Sequence, residues 1–188
     1  MGSKRVGLAR IEALIENLKR EIDFGGASIK GVRSASFTVR SATTAHDLTA
    51  IDSDATVIYT GTIDGNVTLP QATSSNVGMV IKVIYSVSSS TAARKLGFAN
   101  GGSTVLTGNL TLGALDAAAG DENISFAVSA NAKALVIDAN DATGAGGAAG
   151  STYVFTYYDA NKVFVEAHGL VTTGTPAPAA GATPTTGI

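Results

Sequence analysis

Residues 66–85 restrict the fold more than any other stretch of the sequence. Val67-Thr-Leu-Pro70 alternates apolar and polar side chains and stops at a proline. Proline carries no backbone N–H, so it ends a strand and does not continue a central one. A polar connector follows, Gln71-Ala-Thr-Ser-Ser-Asn-Val77. Next comes Gly78-Met-Val-Ile-Lys-Val-Ile-Tyr85, apolar at six of its eight positions. Gly78 lets the backbone bend, and the β-branched run fits a pleated, buried surface. The stretch predicts a strand, a polar turn and a core strand.

The same grammar recurs on both sides. Strands are predicted at Phe37–Arg40, Ala55–Tyr59, Lys95–Ala99, Asn123–Val128 and Ala134–Ile137. Asp64-Gly65 is a hairpin signal, so Thr56–Thr62 and Asn66–Leu69 are expected to pair. Val105–Leu106 and Leu110–Leu112 read as two pieces around Gly108-Asn109. Tyr153–Tyr158 and Lys162–Ala167 read as a hairpin turned at Asp159-Ala-Asn161. Residues 138–150 are rich in Ala and Gly and read as a flexible surface loop. Residues 115–120 fit a short helix or a loop equally well. Nine or ten short strands separated by turns predict a mainly β body, a β-sandwich or jelly roll.

The front of the chain is different. Residues 3–23 predict a helix, with Ser3 as N-cap and Gly25-Gly26 as the stop. Leu8, Ile11, Ile15, Leu18 and Ile22 form an a/d stripe, which Leu14 widens. Three uses of it stay open: a short trimeric coiled coil, docking on another protein, or packing on the chain's own body. Residues 24–36 are punctuated by Gly and Ser and predict an extended arm. Residues 169–188 hold Pro176, Pro178 and Pro184 among Thr, Ala and Gly, and predict a disordered or partner-ordered tail. The expected organisation is a helix at 1–23, an arm at 24–36, a β body at 37–168 and a tail at 169–188.

Charge separates the same regions. Residues 1–40 carry eight Lys/Arg against four acids, and the remainder carries five against eleven. A basic front on an acidic body suggests a segment that meets an acidic surface. Lys4 and Arg5 lie near the positive end of the helix dipole, and Glu21 and Asp23 near the negative end, placements that cost about 0.3–1 kcal/mol for each charge. Acidic residues on a partner would offset that cost.

The sequence has no cysteine, which excludes disulfides and thiolate metal sites. No apolar run reaches the length of a membrane-spanning helix, and Glu12 and Glu16 interrupt any signal core, so a soluble chain made in the cytoplasm is expected. No nucleic-acid motif is present. His46 and His168 have no spacing that implies a dyad or metal site. Asp138, Asn140 and Asp141 resemble a calcium loop but lack its closing glutamate. Asp116, Asp121 and Glu122 do not define a glycosidase pair. Gly144–Gly150 lacks the Lys-Ser/Thr of a phosphate loop. Tyr153, Phe155 and Tyr157 share one strand face; together with Tyr158 and Phe164 they suit core packing better than a sugar platform. Catalytic, cofactor-binding and metal residues are therefore expected to be none.

The segment "NVTLP…SSNVGMVIKVIY" resembles a unit of small β-domains in tailed-phage virion proteins. Tyr153-Val-Phe-Thr-Tyr-Tyr-Asp-Ala-Asn-Lys-Val-Phe-Val165 is similar to a later strand pair of those domains, where Trp is common near the place of Phe164. The start, Met1-Gly-Ser-Lys-Arg-Val-Gly-Leu-Ala-Arg10 running on to Ile22, resembles structural proteins of marine cyanobacterial phages. The resemblance implies a non-enzymatic capsid decoration or cement protein on the virion surface. It implies a homotrimer, with the major capsid protein as partner and neither nucleic acid nor membrane. Contacts would come from the stripe Leu8, Ile11, Ile15, Leu18 and Ile22 and from the basic residues Lys4, Arg5 and Arg10. The alternative is a tail-fibre or receptor-binding component with a helical stalk and a glycan-binding β-domain.

Overall fold

The computed structural model describes residues 36–40, 45–51, 54–89, 93–115, 123–139, 145–172 and 187–188, with the backbone alone at 36–40 and Phe126. The chain divides into two units, Met1–Arg33 and Ser34–Ile188. The predicted helix at 3–23, the arm up to residue 35, and the contact residues Lys4, Arg5, Leu8, Arg10, Ile11, Ile15, Leu18 and Ile22 lie outside the described residues.

The second unit is mainly β. Its strands are β1 (Ser36–Arg40), β2 (His46–Asp47), β3 (Ala55–Tyr59), β4 (Val67–Leu69), β5 (Val80–Tyr85), β6 (Arg94–Phe98), β7 (Val105–Ala114), β8 (Asn123–Ala127), β9 (Ala134–Ile137), β10 (Thr152–Asp159) and β11 (Lys162–Val171). They form two mixed sheets, one of seven strands ordered β1-β3-β5-β10-β11-β7-β8 and one of four ordered β2-β4-β6-β9.

From β1 to β6 the chain alternates between the sheets. Strands two apart in sequence pair in parallel: β1 with β3 and β3 with β5 in the large sheet, β2 with β4 and β4 with β6 in the small one. The first half is thus wound in coils, each laying one strand on each sheet. The expected hairpin at Asp64-Gly65 does not form, because β3 and β4 belong to different sheets. The segment between them is fixed to the small sheet instead. Ile63 is buried, Asp64 is gripped by Arg94 of β6, and Asn66 accepts the Lys95 N–H at 2.9 Å.

The stretch from Val67 to Tyr85 has the predicted form. β4 ends before Pro70, residues 74–78 turn, and Gly78 has φ +88°, the left-handed region that glycine tolerates. Asn76 ties the connector together, with its amide donating to the Gln71 carbonyl and its side-chain oxygen accepting the Thr73 N–H. β5 is buried only at Ile81, Val83 and Tyr85, while Val80, Lys82 and Ile84 point to the other face.

Two apparent breaks turn out to be packing features. Gly108-Asn109 does not interrupt β7, which runs unbroken beside β11 in a parallel ladder from Val105↔Lys162 to Ala114↔Val171. At Gly108, φ is +129° and an added Cβ would lie 2.0 Å from the Val165 carbonyl oxygen, so glycine is what permits the approach. The predicted surface loop at 138–150 is buried at Asp138, Ala139 and 145–148. Its small residues fit against β11: a Cβ on Gly146 would meet the Gly169 Cα at 2.6 Å. The body likewise extends past its expected boundary at 168, since β11 continues to Val171. At the far end Ile188 pairs with β6, its N–H donating to the Phe98 carbonyl at 2.8 Å.

The inward faces of both sheets share one apolar core. Tyr59, Tyr85 and Tyr153 lie side by side across β3, β5 and β10, with ring centroids 5.4 and 5.8 Å apart. Among the contacts that tie the sheets together are two made by Tyr157. Tyr157 of β10 meets Phe98 of β6 edge-on at 6.4 Å, and its hydroxyl donates to the Pro70 carbonyl at 2.9 Å. Burial makes the phenolate form costly, so the phenols of Tyr85, Tyr153 and Tyr157 are all held well above the ordinary tyrosine range.

Candidate functional site

The period of two that buries Tyr153, Phe155, Tyr157, Val163 and Val165 sends their neighbours to the opposite face of the large sheet. On β11 those neighbours are Phe164, Glu166 and His168. The ladders set them in rows: Phe164 beside Thr107, Glu166 beside Asn109 and then Ala127, His168 beside Thr111 and then Ser125. Long side chains on β11 next to short ones on β7 and β8 leave a groove of about 540 Å³, lined by Asn109, Thr111, Ser125, Ala127, Phe164, Glu166, Ala167 and His168.

The groove has a mixed character. Phe164 is 40% exposed, a large apolar ring left in water at one end. Glu166 supplies a carboxylate, Asn109 an amide and His168 an imidazole. The hydroxyls of Thr111 and Ser125 are bonded to each other at 2.9 Å across β7 and β8. That bond uses one hydrogen of the pair, so a second donor and several lone pairs still face outward. Just beyond the groove, the Tyr158 hydroxyl meets Thr107 Oγ1 at 3.2 Å. The arrangement suits binding. Glu166 is the one carboxylate among the described lining residues.

The residues singled out from the sequence are dispersed. His46 is on β2 of the small sheet, with Nδ1 2.6 Å from the Tyr59 hydroxyl; His168 is on β11 of the large sheet. The carboxylate of Asp47 accepts hydrogen bonds from Thr49, which hold its pKa below the usual value. Asp138 is buried at the end of β9, its N–H donating to the Gly146 carbonyl, while Asn140, Asp141, Asp116, Asp121 and Glu122 lie outside the described residues. The aromatic set divides as strand alternation dictates: Tyr153, Phe155 and Tyr157 are core, while Tyr158 and Phe164 are exposed. Asn109, Thr111, Ser125, Ala127 and Glu166 were not picked out from the sequence. Alternation along β11 is the signal that joins Glu166 to Phe164 and His168; the parallel β7–β11 pairing that adds the rest has no local signature.

Among the described residues no helix is long and apolar enough to cross a membrane, and no three His, Cys, Asp or Glu side chains stand close enough to hold a metal ion. Comparison with protein-family models, with curated proteins and with solved structures gives no match to this chain.

Proposed function

We propose that the chain is a non-enzymatic structural protein of a tailed-phage virion that decorates the capsid exterior. Its β body, read as a sandwich, holds position, and the segment before β1 grips the shell. The phage assignment rests on the resemblance described above. The observation that carries the mechanism is the place of β1, the end strand of the seven-stranded sheet. The chain joins its body at a sheet edge, and the residues leading to that edge hold the surplus of positive charge.

Three such segments in a homotrimer would convert weak individual contacts into firm attachment by effective concentration. The test is co-sedimentation with purified shells of the major capsid protein. Replacing Lys4, Arg5 and Arg10 together by Gln should weaken binding at least about tenfold, equivalent to about 1.4 kcal/mol. The melting temperature of the body should stay where it was. Undiminished binding by the triple variant would reject this mode of attachment.

A further inference from the structure

We propose that the groove on β11, β7 and β8 is a binding site for neutral saccharides. A sugar ring presents an apolar C–H face and a rim of hydroxyls. The groove presents the matching pair, an exposed Phe164 ring at one end and planar or hydroxylic polar groups beyond it. Asn109 donates and accepts, Glu166 accepts, and Thr111 and Ser125 do both. Along β11, Phe164, Glu166 and His168 span about 13 Å at the strand repeat, a stripe that suits a short oligosaccharide better than one ring. Among the described residues no Lys or Arg lines the groove, and Glu166 would repel a carboxylate, so neutral sugars are favoured over uronic and sialic acids.

Two other occupants fit less well. A peptide strand adds to a sheet by hydrogen-bonding an edge. β11 and β7, which supply most of the lining, are interior strands paired on both sides. A second copy of this chain would need a broader apolar patch than one aromatic ring among polar groups. The site also stands on rigid elements, since β7 and β11 are joined over their whole length. The inference is independent of the capsid reading, because the segment assigned to the shell and the groove share no residue.

The test is saturation-transfer NMR on the full chain with cellotriose, maltotriose and chitotriose at about 10 mM, a level that detects millimolar affinity. Sialyllactose serves as the acidic control. At least one neutral trisaccharide should bind, and Phe164→Ala should weaken it tenfold or more. Asn109→Ala should give a smaller loss, and sialyllactose should give no signal. Both variants should melt within a few degrees of the parent, because both positions are exposed. Absence of binding by all three neutral sugars, equal binding of sialyllactose, or binding unmoved by Phe164→Ala would overturn the assignment. So would self-association in sedimentation that Phe164→Ala abolishes, since that would place a second copy in the groove.

Discussion

The two faces of β10 and β11 are made from the same hairpin, yet they do different work. One face carries Tyr153, Phe155, Tyr157, Val163 and Val165 into a core shared by both sheets. The other carries Phe164, Glu166 and His168 into an open groove. Adjacent residues in one strand therefore answer to different constraints. Volume and shape decide the inner positions, and hydrogen-bonding chemistry and solvent decide the outer ones. An aromatic residue means something different on each side: Phe155 is fully buried, while Phe164 is left in water.

Substitutions can break or sharpen this contrast. The largest effect should come from Phe155→Ala, which empties a buried ring site and should cost about 3–5 kcal/mol in urea denaturation. Gly108→Ala should follow, at about 2–3 kcal/mol, through positive φ and the clash with the Val165 carbonyl. If that variant were as stable as the parent, the tight β7–β11 approach that builds the groove would be wrong. Alkaline pH tests the tyrosines as a group. Their pKa values are raised on folding, so the stability that depends on neutral phenols is complete below the ordinary tyrosine value of about 10. It is lost as pH climbs above that value towards the raised ones. The denaturation midpoint should be level up to about pH 9.5 and fall beyond about pH 10.5, less steeply in Tyr85→Phe. Phe164→Ala stands at the small end, within about 0.5 kcal/mol of the parent. A stability loss there comparable to Phe155→Ala would erase the distinction between the faces.

Local elements were legible in the sequence, and their assembly was not. Pro70, Gly78 and the β-branched run after it declare strand, turn and strand, and each occurs where expected. Asp159-Ala-Asn161 declares a hairpin between strands that do pair. Asp64-Gly65 gives an equally good hairpin signal and yet hands the chain to another sheet. A turn signal records that the chain reverses, not which partner it meets. Gly108 and residues 145–148 misled for a related reason. Small residues look like breaks or looseness in one dimension, while in the structure they mark close approach of another strand. The groove was half legible: alternation ranges Phe164, Glu166 and His168 on one side, but Asn109 and Ser125 reach them only through pairings between distant segments.

The coiled first half has a kinetic consequence. None of β1 to β6 pairs with the strand next to it in sequence, so no short-range hairpin can nucleate there. β5 closes its ladder only when β10 arrives, some seventy residues later in the chain. Folding should therefore start from the β10–β11 turn and be slow for a domain of this size, since long loops must close before they are rewarded. A polypeptide leaving the ribosome would have to keep the outer edge of β5 waiting, soluble and unmatched, until β10 had emerged.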